Sequence, residues 1–150
     1  MFCVPIQVQW LHLDPNSHVR HSAYFDFAAY ARIALFDSMG LNRTSLKHHK
    51  LGPILFREEA IFKREILFGD HIESHVCLYK ATQDFSRWGF SHDLIKSDGT
   101  LMATICSDGG FINTDLRKLT HLPTEFMDKM DSVSKSDDFQ WIEKSKRIQN

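Results

Sequence analysis

Apolar and polar side chains alternate along the chain with a period that changes twice. Residues 4–11 alternate with period two, which is typical of a strand with one buried face. From residue 22 to 39 the apolar positions instead recur every three or four residues, as on one face of an amphipathic helix. Ser22 is the predicted N-cap of this helix, and Gly40 suits its C-terminal cap. The pattern therefore predicts a strand followed by one long helix.

The segment after this helix returns to period-two patterns and predicts four more strands. Their ranges are 54–67, 72–79, 88–94 and 101–112. Turn-forming residues separate them, with Gly69 and Gly99 inside two of the turns. Strands joined by short turns form an antiparallel sheet, and one helix can cover one face of such a sheet. The predicted fold class is therefore α+β, with an antiparallel β-sheet of about five strands wrapped around one long helix.

The length and composition of the chain indicate one domain. A chain of 150 residues with 43% hydrophobic residues can bury a single core without a metal or a disulfide. We interpret residues 1–130 as this domain. Residues 131–150 are rich in Ser, Lys and Asp and poor in apolar side chains, so we expect a polar C-terminal tail or a peripheral helix there.

Charge and cysteine content disfavour several classes of protein. The formal net charge of -1 provides no basic field for nucleic acid, and no apolar run approaches the roughly 20 residues that span a bilayer. Three widely spaced cysteines and an N-terminal segment without Lys or Arg argue against a disulfide framework and a signal peptide. A cytoplasmic location is the prediction that follows. The nine histidines form no His-Glu-x-x-His motif, so no metal site is predicted.

The segment DPNSHVRHSAY at positions 14–24 is the most distinctive motif in the chain. Asp14 directly follows the first predicted strand, a small residue stands three positions later, and a His-Val pair comes next. Tyr24 lies ten residues after the aspartate, inside the predicted helix, and an Ala-Arg pair follows at positions 31–32. This arrangement resembles the signature of 4-hydroxybenzoyl-CoA thioesterase-type enzymes, which have the hot-dog fold.

Three later motifs agree with this resemblance. They are a Gly-Asp turn at 67–70, a hairpin at 98–103 and a Leu-Pro ending at 122–123, in the order that the family shows. Each motif alone is weakly specific, but four motifs in the right order and at the right spacing together identify the family. The resemblance covers residues 4–125.

The resemblance implies an acyl-thioester hydrolase and a role for each residue of the loop motif. Asp14 would act as nucleophile or as general base towards water, and the backbone N–H of His21 would stabilise the oxyanion. His18 and Tyr24 are the candidate substrate-binding residues, with a plain structural histidine as the equal alternative for His18. No cofactor is implied. The implied partner is an acyl-CoA or acyl-carrier-protein thioester, and the implied assembly is a homodimer or homotetramer.

Three positions depart from the family pattern and keep other functions open. Many relatives have Gly at the position of Ser17 and Asn-Asn at that of Arg20-His21. The Arg-His pair leaves room for a non-catalytic acyl-thioester binding or sensor protein on the same fold. An acyl hydratase or dehydratase would instead pair a His with an Asp, and His18 or His21 would supply the His. The spacing of the motif fits the thioesterase pattern better.

Overall fold

The long helix predicted from the sequence lies against one face of a β-sheet in the computed structural model, which describes residues 1–144. The helices are α1 (His21–Ser38), α2 (Arg43–His48) and α3 (Thr124–Asp131). The strands are β1 (Phe2–Ile6), β2 (Leu51–Phe62), β3 (Ile72–Ala81), β4 (Arg87–Lys96), β5 (Leu101–Asn113), β6 (Lys118–Leu119) and β7 (Lys135–Trp141). None of these described helices is long and apolar enough to cross a membrane.

Five of the strands form the sheet that the alternating patterns predict. Their order is β1-β3-β4-β5-β2, and each neighbouring pair is antiparallel. The short β6 extends the sheet by pairing with the end of β5. The α+β class and the five-stranded antiparallel sheet around one long helix are therefore confirmed. β2 stands at one end of this order and so forms an edge of the sheet.

The C-terminal segment differs from the polar tail or peripheral helix expected for residues 131–150. Within it, Lys135–Trp141 is the strand β7, which pairs in parallel with the end of β3. The Leu78 N–H donates to the carbonyl of Ser134 at 2.8 Å, and Phe139 packs against the core. These two contacts explain how a polar segment becomes a strand. A strand at the edge of a sheet needs only backbone hydrogen bonds to its neighbour and one apolar face. Residues 145–150 lie outside the described part of the chain.

The first strand is shorter than the alternation of residues 4–11 predicts. β1 ends at Ile6, and Trp10–His12 forms a 3₁₀ turn instead. The Trp10 ring stacks on Phe68, with 4.2 Å between the ring centroids. The prediction was wrong beyond Ile6 because this aromatic side chain packs on a neighbouring turn rather than on the sheet.

The N-terminal end of α1 also differs from the prediction by a short distance. The helix begins at His21, so Arg20 and not Ser22 occupies the N-cap position. The Ser22 hydroxyl accepts a hydrogen bond from Arg20 Nε at 3.0 Å and is therefore not used to cap the helix. This places the loop motif directly against the first turn of α1.

The C-terminal end of α1 closes as the sequence predicts. Gly40 has φ +87°, which an L-residue with a side chain rarely adopts. Its N–H donates to the Asp37 carbonyl, and the Leu41 N–H donates to the Phe36 carbonyl. These two bonds form a Schellman motif and satisfy carbonyl groups that the helix leaves without partners.

Two groups of buried side chains lie along α1. The first half of the helix contributes to a site-side cluster of Ala23, Tyr24, Phe27 and Ala28 with Val19, Ile66, Leu94 and Ile105. The second half contributes to an aromatic cluster of Leu35 and Phe36 with Trp88, Phe90, Phe111, Phe126 and Met130. Phe36 is central to the aromatic cluster, because its ring lies 5.7–5.8 Å from the rings of Trp88, Phe90 and Phe111.

His92 is fully buried on β4, two residues from Phe90 of the aromatic cluster and two from Leu94 of the site-side cluster. Its Nδ1 lies 3.1 Å from the carbonyl oxygen of Ile105, so Nδ1 carries the donated proton. Among the described residues no group bonds to its Nε2. Burial lowers the pKa of His92 to about 4, and the imidazole is therefore neutral at pH 7.

Candidate active site

The loop motif folds into a tight reversal that brings residue 14 next to the start of α1. The Asp14 N–H donates to the His18 carbonyl at 2.7 Å, and the Arg20 N–H donates to the His12 carbonyl at 2.8 Å. The Val19 N–H bonds to the carbonyl of Ile66, which follows β2, at 2.9 Å. These bonds hold the loop on two sides and fix the direction of its side chains.

The Asp14 carboxylate is held by the backbone of its own loop. Its Oδ1 accepts hydrogen bonds from the N–H groups of Asn16 at 2.9 Å and His18 at 3.1 Å. Its Oδ2 receives no hydrogen bond from the described residues. The arrangement orients the carboxylate through one oxygen and leaves the other oxygen available to a substrate or to water.

Ser17 adopts a left-handed backbone conformation, which glycine takes more readily than serine. Its φ is +63°, in the left-handed region, and its N–H donates to the Asp14 carbonyl at 3.0 Å. This conformation costs a residue with a side chain roughly 1–2 kcal/mol. The turn from Asp14 to Ser17 is therefore formed with serine at a position that favours glycine.

The N-terminus of α1 supplies hydrogen-bond donors beside this carboxylate. His21 is the first residue of the helix, and its side chain is exposed. The first N–H groups of an α-helix have no partner inside the helix, and the helix dipole gives this end a partial positive charge. The position suits the stabilisation of a developing negative charge.

Arg20 is turned towards the loop rather than towards the cleft. Its guanidinium group donates to the carbonyl of Leu11 and to the hydroxyl of Ser22, and it lies 3.9 Å from the Asp26 carboxylate. Arg20 is not among the residues that line the cleft containing Asp14. Arg20, which differs from the family pattern, thus links the loop to the first turn of α1 through hydrogen bonds.

Tyr24 forms the apolar floor beside the helix N-terminus. It is buried, and its ring meets Phe62 edge to face with 4.9 Å between the centroids. Burial raises the pKa of the Tyr24 phenol, so the hydroxyl stays protonated and remains a donor near neutral pH. Tyr24 and Phe62 thus combine an apolar wall with one polar group.

His18 lies at the rim of the same region, half-buried. Its Nε2 is 3.4 Å from the Glu65 carboxylate, and its backbone bridges to Leu67. The His18 side chain therefore has a partner within the protein. Such a partner is expected if His18 has a purely structural role. His18 also borders the cleft, so the substrate-binding role stays open.

One cleft of about 320 Å³ brings all four predicted site residues together. Its lining consists of Asp14, His18, Val19, His21 and Tyr24 with Phe62, Lys63, Arg64 and Glu65. Sequence analysis did not assign residues 62–65, which form the second wall. The run Lys63-Arg64-Glu65 could have indicated this wall. Its three successive charges interrupt the strand pattern that was predicted to continue to residue 67.

A larger cleft of about 600 Å³ lies on the other side of the loop. It contains His12, Asp26 and His71 and none of the four predicted residues. His12 Nδ1 accepts the N–H of Gln9 at 2.9 Å, and burial lowers the pKa of His12. This histidine therefore shapes the 3₁₀ turn, and the smaller cleft is the better candidate because it joins a carboxylate to a helix N-terminus.

Solved structures share this fold over nearly the whole chain. The SAV2348 protein of Staphylococcus aureus, solved in complex with CoA, is 19% identical, with a TM-score of 0.83 over 99% of this chain and 92% of its own. Slr0204 of Synechocystis, a 1,4-dihydroxy-2-naphthoyl-CoA thioesterase, is 16% identical, with a TM-score of 0.78 over 87% and 96% of the two chains. The DHNA-CoA thioesterase of Staphylococcus aureus is 16% identical, with a TM-score of 0.75 over 86% and 85%.

The sequence itself matches one family model. No curated protein sequence matches the chain. The model described as the thioesterase-like superfamily matches residues 8–130, which include the loop motif, α1 and β2 to β5. This match confirms the hot-dog thioesterase family that the loop motif resembles, and with it the predicted enzyme class of thioester hydrolase. The chain belongs to the thioesterase-like superfamily.

Proposed function

We propose that this protein hydrolyses an acyl-CoA thioester in the cleft between the loop motif, the start of α1 and the end of β2. The observation that carries the proposal is the meeting of the Asp14 carboxylate and the N-terminus of α1 in that cleft. Thioester hydrolysis needs a group that attacks or activates water and donors for the oxyanion. The cleft holds one candidate for each requirement.

Asp14 is the proposed catalytic carboxylate. It either takes a proton from the attacking water or attacks the thioester carbonyl itself and is then released by water. Both routes need a carboxylate oxygen that no protein group occupies, and Oδ2 meets this need while Oδ1 anchors the side chain. The products in both cases are the free acid and the CoA thiol.

The backbone N–H of His21 is the proposed oxyanion donor. The tetrahedral intermediate places a negative charge on the former carbonyl oxygen, and a donor already fixed in position stabilises that charge without rearranging. The imidazole of His21 is not needed for this role. The acyl group would then lie along Tyr24 and Phe62, whose rings form the apolar part of the cleft.

Lys63 and Arg64 supply positive charge that can pair with the phosphates of CoA. Both residues line the cleft directly after β2. Lys80 of β3 is another lysine that could have met a phosphate, but it lies 2.8 Å from the Asp108 carboxylate and is already paired. The cations at the cleft therefore favour CoA or another phosphate-bearing carrier as the thiol part of the substrate.

We also propose a homodimer formed through the edge of β2. This edge strand carries exposed apolar side chains at Leu55, Phe56, Ile61 and Phe62. An open strand edge with exposed apolar groups is stabilised by pairing with another strand. Because the cleft wall begins at the end of β2, such a dimer would bring the partner's chain close to the site. The homotetramer and the cytoplasmic location remain predictions.

The test is release of free thiol from short, long and aromatic acyl-CoAs by the wild type and by Asp14→Asn. Loss of the catalytic carboxylate should lower kcat/KM by at least ~10²-fold. Asp137→Asn is the matched control, because this exposed aspartate lies on β7, far from β2 in the sheet order, and should keep the wild-type rate.

Three results would change the proposal in different ways. Activity that survives in Asp14→Asn would mean that another residue carries the reaction. Saturable binding of an acyl-CoA without thiol release would favour the sensor protein. Hydration of an enoyl-CoA without thiol release would favour the hydratase.

A further inference from the structure

A second group of reactive side chains lies on the face of the sheet opposite α1. Cys3 of β1 stands directly across from His75 of β3 in the antiparallel register. Glu73 lies two residues before His75, so both side chains point to the same face of the strand. The alternate β3 residues Ile72, Ser74 and Val76 are buried against the helix, which places the trio on the outer face.

The potential ligand atoms of this trio are already close together. One ligand atom from each of Cys3, Glu73 and His75 lies within 4.8 Å of the other two. The Nε2 of His75 is 3.3 Å from the Glu73 Oε2. A zinc ion bonded to both atoms at about 2.0 Å would subtend an angle of about 110° between them, which is the tetrahedral angle. The Cys3 side chain is exposed, and its thiol makes only a weak contact with the Met1 carbonyl at 3.8 Å, which binding of an ion would replace.

We propose that Cys3, Glu73 and His75 bind a Zn²⁺ ion on the outer face of the sheet. Thiolate, imidazole and carboxylate are the three ligand types that zinc takes in proteins, and the mixed set favours zinc over the oxygen-binding Mg²⁺ and Ca²⁺. The three protein ligands leave a fourth position for water or for a group from another molecule. The ion would join β1 to β3 by a second link besides their hydrogen bonds.

This site is separate from the proposed hydrolase cleft. The cleft lies at the start of α1, whereas the trio lies on the face of the sheet that α1 does not cover. The zinc proposal therefore does not rest on the hydrolase proposal, and either one can fail alone. The alternative explanation for the trio is a simple hydrogen bond between His75 and Glu73, with Cys3 nearby by chance.

The test is titration of the metal-free full chain with Co²⁺ under reducing conditions, followed by displacement with Zn²⁺. Binding at the trio gives a near-ultraviolet band from charge transfer between the thiolate and cobalt, with visible bands of tetrahedral intensity. Cys3→Ser should abolish the charge-transfer band. Glu73→Gln and His75→Gln should each weaken binding by at least ~100-fold, because loss of a direct ligand exceeds the effect of losing an outer partner.

Cys77→Ser is the control, since Cys77 lies on the same face of β3 but is not part of the trio. It should keep the band, and Zn²⁺ should raise the Tm of the wild type and of Cys77→Ser but not of Cys3→Ser. Absence of the band in the wild type, or a band that Cys3→Ser retains, would overturn the proposal. The apo Tm of each variant checks that the fold is intact, and thiol release is measured separately.

Discussion

At its N-terminal end α1 borders the cleft with His21 and Tyr24, whereas its C-terminal half packs Phe36 among the rings of the aromatic cluster. The first end begins without a side-chain cap, and the first N–H groups are left for a ligand. The other end is closed by the Schellman motif at Gly40. The N-terminal end of this helix thus leaves backbone N–H groups without a cap, whereas the C-terminal end has its carbonyl groups bonded.

Under the proposed function, this difference implies that activity and stability depend on separate parts of the same helix. In the proposed mechanism, groups at the open N-terminal end contribute through donors whose partner is the reacting molecule. Groups at the closed end contribute through buried contact area and satisfied carbonyls. Mutations at the two ends should therefore have opposite profiles, and the following predictions test that separation.

The largest expected effect is on stability, at Phe36. Phe36→Ala removes a ring that lies 5.7–5.8 Å from three other aromatic rings and should lower the free energy of unfolding by about 3–5 kcal/mol. Urea unfolding at a fixed protein concentration measures this loss. At a temperature where the variant is folded, thiol release should continue at the wild-type rate. A lost rate in the folded variant would contradict the separation.

The next effect is on activity, at His21. His21→Pro removes the backbone N–H of the first helical position, where proline is well accommodated. The preceding residue, Arg20, already has φ -64° and ψ 148°, a conformation that proline favours before it. If this N–H stabilises the oxyanion, kcat should fall by about 10²–10³-fold while the Tm changes little.

His21→Ala is the matched control for this substitution. It removes the imidazole but keeps the N–H, so it should retain most of the activity. Equal loss in both variants would assign the role to the imidazole and not to the backbone. Full activity in His21→Pro would exclude the N–H as the oxyanion donor.

The third effect concerns His92, which stands between the two clusters. Its pKa is about 4 in the folded protein and near 6.5 in the unfolded chain, so the unfolded chain binds more protons between these values. The stabilisation from a neutral His92 is complete above pH 6.5 and is lost as the pH falls towards 4, by on the order of 3 kcal/mol. Urea unfolding at pH 7 and pH 4.5 measures this loss. His92→Gln cannot titrate and should show a smaller loss, whereas an unchanged loss would assign the effect to other groups.

The sheet and the long helix were predictable because their patterns are local. Period two and period 3.6 record which face of each element is buried, and Gly40 marks the end of α1 by its backbone freedom. The errors arose where a distant contact decides the structure. Trp10 continues the alternation of β1 but packs on Phe68. β7 has few apolar residues to reveal it, and its pairing with the distant β3 is what makes it a strand.

The site was predictable on one wall and not on the other. The motif from Asp14 to Tyr24 is continuous in sequence, so its spacing indicates which residues gather at the start of α1. The wall from Phe62 to Glu65 is held at the cleft by contacts between residues far apart in the sequence, such as the bond between Val19 and Ile66 and the bridge between His18 and Leu67. No local pattern records these contacts. The cluster of Cys3 with Glu73 and His75 was missed for the same reason, since strand register and not sequence spacing brings these residues together.

The sharing of one strand edge by β1 and β7 has a consequence for synthesis on the ribosome. β1 pairs with Ile72–Val76, but Leu78–Ala81 must wait for β7, the last strand among residues 1–144. Until residues 135–141 have emerged, a nascent chain with every other strand in place still presents that stretch of β3 as an open template. Premature termination shortly before β7 would therefore release a nearly complete fold with an unpaired strand edge that can pair with other chains. Chaperones or proteases would have to remove such a species before it aggregates.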